Sequence, residues 1–190
     1  EAMSEELEVT YREFLDDAIT LGYGQLSEGR TGLDVVVSVI QFMEDSPLFN
    51  AGRGAVYTWE GTHELDASIM HGETLDAGSV AGVRTVRSPI ALARAVMEKS
   101  PHVMLSGAGA EAFAHEQGFD VMTPDYFATE RRHEELEAYK ANEQSGLEPE
   151  AVNKFGTVGV VVLDQAGNLV AGTSTGGMTG KRWGRIGDSP

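Results

Sequence analysis

The chain has 190 residues, with 30 acidic against 14 basic side chains, a formal net charge of −16 and no cysteine. The absence of cysteine excludes disulfides, thiolate metal sites and cysteine nucleophiles, and so acidic a surface repels nucleic acid and anionic membranes. The length is that of one ordinary domain with ample chain for a core, and no run approaches the ~20 apolar residues of a membrane helix.

Leu7, Tyr11, Phe14, Leu15, Ala18 and Ile19 recur at helical spacing and predict an amphipathic helix from about Ser4 to Leu21. Thr31-Gly32-Leu33-Asp34 resembles a capping box with Asp in the reciprocal position. Leu33, Val36, Val37, Ile40 and Met43 then form the buried stripe of a second helix, closed by Pro47. Asn50 to Gly54 is a Gly-rich loop. Ala55 to Trp59 and Glu64 to Met70 read as paired strands around Glu60-Gly61, and Val80 to Val86 as a third strand. A short helix is expected over Ile90 to Glu98, a strand over Val103 to Leu105, a helix over Gly107 to Gly118 and a charged helix over Asp125 to Tyr139. Asn142 to Lys154 reads as a flexible linker. Val158 to Asp164, the turn Gln165-Ala166-Gly167-Asn168, and Leu169 to Gly172 form a β-hairpin. Strands and helices without strict alternation predict a mixed layered fold.

Several features compete for chemistry. Ser106-Gly107-Ala108-Gly109-Ala110 follows a strand and opens a helix, but it lacks the third glycine of a dinucleotide fingerprint and reads as a tight turn. His63, His71, His102, His115 and His133 show no metal-ligand spacing and read as turn or surface residues. Glu64 and Asp66 lie two apart on a predicted strand, which places them on one face; structural hydrogen bonding near the turn is the simpler reading. Gly156-Thr157-Val158-Gly159 offers more. Were the Gly156–Thr157 bond cut, Thr157 would carry a free α-amine with a pKa near ~7.7–8.0, able to take the proton of its own hydroxyl. One residue would then supply both nucleophile and base. The hairpin returns the chain toward Thr157, bringing the hydroxyls of Thr173, Ser174 and Thr175 with it, and Arg185 and Asp188 follow on a Gly-rich loop.

These segments together resemble the plant-type asparaginase and isoaspartyl peptidase family of N-terminal-nucleophile hydrolases. The resemblance is carried by Gly-Thr-Val-Gly at 156–159, Thr-Ser-Thr-Gly-Gly-Met-Thr at 173–179 and Gly-Arg-Ile-Gly-Asp-Ser-Pro at 184–190. Upstream, Pro47 to Ala55, His63-Glu64-Leu65-Asp66-Ala67 and Ser100 to Leu105 extend it through nearly the whole chain. It implies an α+β fold, a four-layer αββα sandwich. It also implies self-cleavage of a single hydrolase domain into an alpha-subunit region, 1–156, with the linker at about 142–154, and a beta-subunit region starting with 157–190. The expected activity is hydrolysis of isoaspartyl (β-aspartyl) dipeptides and of the side-chain amide of L-asparagine.

By the same resemblance, Thr157 is the nucleophile, Thr175 steadies it, and Asn50 completes the polar network. Arg185 grips the substrate α-carboxylate and Asp188 its α-ammonium. A structural ion pair between Arg185 and Asp188 is the plainer alternative. No organic cofactor is implied; a structural sodium ion is, held by the backbone carbonyls of Met43, Glu44, Ser46, Phe49, Ala51 and Arg53. The expected partners are a small-molecule substrate and a second copy, as a dimer of cleaved units, with no nucleic acid or membrane. The family's opening His-Gly-Gly-Ala-Gly segment is absent and its oxyanion donors lie beyond Pro190, so a fragment is expected. Two other readings stay open: a glycosylasparaginase or threonine-aspartase type of sister hydrolase, and an inactive remnant or binding domain. Gly156 and the Thr-Ser-Thr-Gly-Gly run favour the first activity, because the glycosylasparaginase branch typically has Asp before the Thr and Asn at the position of Gly177.

The acidic start of the chain does not fit a secretory leader, and a cytoplasmic location is expected. Among basic residues only Lys99, Lys140, Lys154 and Lys181 are lysines. A surface so acidic and Lys-poor is tolerable where salt screens it, since the Debye length falls to ~3 Å at 1 M. A halophilic source is therefore one expectation and an ordinary acidic cytosolic protein the other.

Overall fold

The computed structural model describes residues 4–145 and 156–189. Helix α1 runs over Glu5–Ser27, its first turn capped by the Ser4 hydroxyl accepting from the Leu7 amide at 3.2 Å. Helix α2, Gly32–Glu44, is capped by Thr31, whose hydroxyl accepts from the Asp34 amide. The reciprocal half of the expected capping box is not made: the Asp34 carboxylate turns instead to Arg94 at 2.7 Å. Val35 and Val39 are buried along with Val36, Val37, Ile40 and Met43 of the expected stripe, because α1 covers the side of α2 that the sheet does not; Leu33 is only partly buried.

Strands β1 (Leu65–His71), β2 (Ala77–Val83), β3 (Met104–Ser106), β4 (Val158–Leu163) and β5 (Leu169–Thr175) form one sheet in the order β3-β2-β1-β5-β4. Only β2 and β3 pair in parallel. Helix α3 (Pro89–Lys99) packs on β1 and β2, and α2 on β4 and β5; helix α4 (Gly107–Glu116) leans on β2. Along β4 and β5, side chains alternate with the period of two that a half-covered sheet requires. Val158, Val162 and Val170 enter the core, while Val161, Leu163 and Leu169 lie exposed on the opposite face. The class is α+β, as expected, and the described residues supply one helix layer and one sheet of a sandwich.

Four expectations are corrected. Ala55 to Trp59 is not a strand beside Glu64 to Met70; it is irregular backbone that touches the chain again through a bridge from Thr58 to Lys181. Both sides of β1 are already taken by β2 and β5, which leaves no edge for it. The charged helix begins later and ends later than expected: α5 spans Glu130–Gln144, after a 3-10 turn at Pro124–Tyr126, because the Thr129 hydroxyl caps it. The start of the expected linker, Asn142 to Gln144, is therefore helical, while 146–155 lie outside the described residues. His63 is buried, not a surface residue, with its ring 4.1 Å from that of Tyr57.

Strand directions decide where chemistry can gather. β1 runs antiparallel to β2 and β5, and β5 to β4. The start of β1, the ends of β2 and β5 and the start of β4 therefore share one end of the sheet. Thr157, Thr175, Asp66 and Gly82 all stand there.

Candidate active site

Thr157 immediately precedes β4, is exposed, and has its hydroxyl 2.8 Å from that of Thr175. Thr175 ends β5, is 1% exposed and also accepts the Gly177 amide at 3.0 Å. That fixed donor occupies one lone pair of the Thr175 oxygen, which leaves its O–H free for the Thr157 oxygen. The expected pair is therefore adjacent in space.

Asn50 lies behind them and is nearly buried. Its amide nitrogen donates to the Gly177 carbonyl at 2.7 Å, and its amide oxygen accepts from the Val56 backbone at 2.9 Å. Its own carbonyl accepts from Gly176 at 3.0 Å. Asn50 thus ties the Gly-rich loop to the turn after Thr175 and does not itself bond to Thr157. Its backbone N–H donates to the Gly156 carbonyl at 2.7 Å. This is the carbonyl of the Gly156–Thr157 peptide bond, and a fixed donor on its oxygen favours charge developing there. Gly156 has φ of 151°, and a Cβ at that position would lie 2.7 Å from the Asn50 Cβ, so the close approach needs glycine. Buried Arg132 stands beside it, held by the Gly54 carbonyl and by Glu135 at 2.8 Å each.

Arg185 and Asp188 lie on the loop after β5 and pair with each other at 2.8 Å. Their side chains are 38% and 95% exposed, so the pair is solvated and opens at little cost. Gly187, between them, donates its N–H to the buried Asp66 carboxylate at 2.7 Å. Glu64 does not join Asp66 as a carboxylate pair: it precedes β1 and pairs with Arg84 at 2.5 Å. Asp66 has a different companion, Lys181, which composition and spacing did not single out. Burial pulls the Lys181 ammonium below the usual lysine range, with Asp66 and then Glu64 opposing that shift.

Glu44 was also missed as a side chain. It is fully buried at the end of α2 and accepts from the Ser174 hydroxyl at 2.7 Å, the Ser88 hydroxyl at 2.7 Å and the Ile90 amide at 3.0 Å. Burial pushes its carboxyl up to about 7, although those three hydrogen bonds oppose the shift.

The carbonyl set expected to hold sodium follows the C-terminus of α2, where partial negative charge collects. Of the six carbonyls, Met43 accepts from Ser46 and Ala51 from Gly54, while those of Glu44, Ser46, Phe49 and Arg53 receive no hydrogen bond among the described residues. A Cβ on Gly52 would meet the Glu44 carbonyl oxygen at 2.4 Å, so the loop folds tightly over it. Oxygen donors with free lone pairs fit a hard cation. No cluster of three or more His, Asp or Glu side chains that could hold a metal occurs among the described residues. Ser106 to Gly109 is the strand-to-helix turn expected, with Gly107 at φ of 49°.

Comparison with known proteins matches residues 1–190 to the family described as asparaginase. The chain is 51% identical over 193 residues to an isoaspartyl peptidase of Salmonella typhimurium, covering 99% of this chain and 62% of the relative. It is 49% identical to an isoaspartyl peptidase of Escherichia coli, with 99% and 60% covered. It is 44% identical over 173 residues to an isoaspartyl peptidase/L-asparaginase of Homo sapiens, with 91% and 56% covered. The chain thus spans roughly three-fifths of the length of these relatives.

Proposed function

The chain belongs to the asparaginase family, and from that membership we propose that its full-length gene product is a self-processing threonine hydrolase of β-aspartyl dipeptides and L-asparagine. The observation that carries the reading is the 2.8 Å approach of the Thr157 and Thr175 hydroxyls at the head of β4. In the precursor, the Thr157 hydroxyl attacks the Gly156 carbonyl, whose oxygen already accepts the Asn50 N–H. As the ester forms, the Gly156 C–N bond breaks and the proton passes to the departing nitrogen, which frees the Thr157 amine; water then hydrolyses the ester to a Gly156 carboxylate and restores the Thr157 hydroxyl. In this reading 1–156 becomes one subunit and 157 opens the other.

The mature Thr157 amine then takes the proton of its own hydroxyl, and the oxygen attacks the side-chain carbonyl carbon of the substrate. The amine returns that proton to the departing ammonia or amino acid, and water cleaves the aspartyl ester. Thr175 orients the nucleophile oxygen throughout. Arg185 exchanges Asp188 for the substrate α-carboxylate, which its planar fork fits bidentately, and Asp188 takes the α-ammonium. A sodium ion on the carbonyls of Met43, Glu44, Ser46, Phe49, Ala51 and Arg53 would hold the loop that carries Asn50. A dimer of cleaved units and a cytoplasmic location belong to the same proposal; no described helix is long and apolar enough to cross a membrane.

Gly177 favours this activity over the glycosylasparaginase type. Its φ is 81°, and a side chain there would meet Lys181 within 3.1 Å. Steady-state rates of the full-length gene product on a β-aspartyl dipeptide, L-asparagine and a glycosylated asparagine test the reading. The first two should be cleaved and the third spared; preference for the glycosylated substrate would overturn it.

A further inference from the structure

Asp66 and Lys181 form a charged pair in the interior with no part in the chemistry above. The Asp66 carboxylate is 0% and the Lys181 side chain 1% exposed, with 3.7 Å between nitrogen and oxygen. Burying two charges is costly unless every lone pair and proton finds a partner. Here the partners are specific. One Asp66 oxygen accepts the Gly82 N–H at 2.8 Å, the other the Gly187 N–H at 2.7 Å, and the Lys181 ammonium donates to the Glu64 carbonyl at 2.8 Å.

The placement of Asp66 gives the pair its meaning. It stands directly opposite Thr175 in the β1–β5 register, at an irregularity in the β1–β2 ladder. Irregularities of this kind re-aim a side chain at the end of a sheet. Asp66 therefore touches, through one strand pairing, the residue that orients the nucleophile, and through one hydrogen bond, the loop that carries Arg185 and Asp188. Gly187 fits so closely that a Cβ would lie 2.8 Å from the Thr175 methyl and 3.1 Å from the Asp66 carboxylate. Beyond Asp188, the Ser189 carbonyl accepts from the hydroxyls of Ser68 and Thr173. Before it, Gly184 and Ile186 border an open cavity of about 730 Å³ and gain no support from that side. The loop is thus fixed at Gly187 and Ser189 while the two charged side chains between and before them stay free to turn.

We propose that Asp66 and Lys181 are positioning residues that hold the 184–189 loop at a set distance from the Thr157–Thr175 hydroxyls and so determine which charged substrate end is accepted. This rests on the reading that Arg185 and Asp188 bind that end. Asp66→Asn keeps the shape but can accept only one of the two amides and takes from Lys181 its nearest counter-charge. Lys181→Met keeps the buried stem and removes the cation.

The test uses the full-length gene product with Asp66→Asn, Lys181→Met and, as a reference, Arg185→Ala. Folding is followed by circular dichroism, processing by denaturing gel, and kinetics on L-asparagine and a β-aspartyl dipeptide. Both pair variants should fold and cleave at Gly156–Thr157, with KM raised about tenfold or more, the scale of one weakened charged hydrogen bond, and kcat changed far less. Unchanged KM in Asp66→Asn alongside raised KM in Arg185→Ala overturns this proposal alone. Unchanged KM in Arg185→Ala overturns the underlying reading and this proposal with it. Loss of folding in both pair variants, or a fall in kcat at constant KM, makes the pair a stability element and also overturns the positioning role.

Discussion

Glu44→Gln should flatten the dependence of stability on pH. The Glu44 carboxyl is raised from an ordinary 4.5 to about 7, first by burial. Between those values the unfolded chain has lost the proton and the folded protein keeps it, so the folded state binds more protons. Stability then falls as pH rises through the window, and levels off above it. At 1.36 kcal/mol per unit, the full span from 4.5 to about 7 corresponds to about 3 kcal/mol. Glutamine has no charge to desolvate. Its oxygen can keep the Ser174 and Ile90 donors, and its amide can donate to the Ser88 hydroxyl. Urea unfolding of an uncleaved Thr157→Ala background, with and without Glu44→Gln, measures the difference at pH 5 and pH 8. The variant should gain on its parent by up to about 3 kcal/mol on going from the lower to the higher pH. Parallel curves for the two proteins would refute the burial argument.

Arg185→Ala in the full-length protein should leave processing intact and lower kcat/KM by orders of magnitude, since the bound substrate α-carboxylate would lose its charged hydrogen-bonding partner, a loss of ~2–5 kcal/mol. Near-normal kinetics would remove Arg185 from the site. If the acidic, Lys-poor surface is an adaptation to brine, the thermal midpoint should rise from low to molar KCl as repulsion among carboxylates is screened. A flat or falling midpoint would leave the acidity as ordinary surface charge.

The local elements were legible in the sequence where local signals decide them. The Gln165 to Asn168 turn between two apolar runs fixed the β4–β5 hairpin, and the short helix expected over Ile90 to Glu98 is α3, Pro89–Lys99. Long-range pairing was not legible. A strand at Glu64 to Met70 looks equally suited to a neighbour at 55–59, yet it pairs with β2 and β5, because pattern gives a strand's faces but not its partners. The same limit hid the polar interior. Glu44 meets Ser174, and Asp66 meets Lys181, only after the sheet closes. His63 read as a surface residue because nothing local signals that Tyr57 and Phe127 enclose it. Asn50 was found through the family resemblance alone; its sequence neighbours carry no sign that it spans three segments.

The central claim is that Thr157 acts only after its nitrogen is released, because an amide nitrogen has no basic lone pair to take the hydroxyl proton. N-terminal sequencing of the active full-length protein tests this most directly. Two chains should be found, the smaller beginning at Thr157. Thr157→Ala should stay a single, inactive chain, while Thr157→Ser, which keeps a hydroxyl, should still cleave. An active protein in which the Gly156–Thr157 bond is intact would contradict the account.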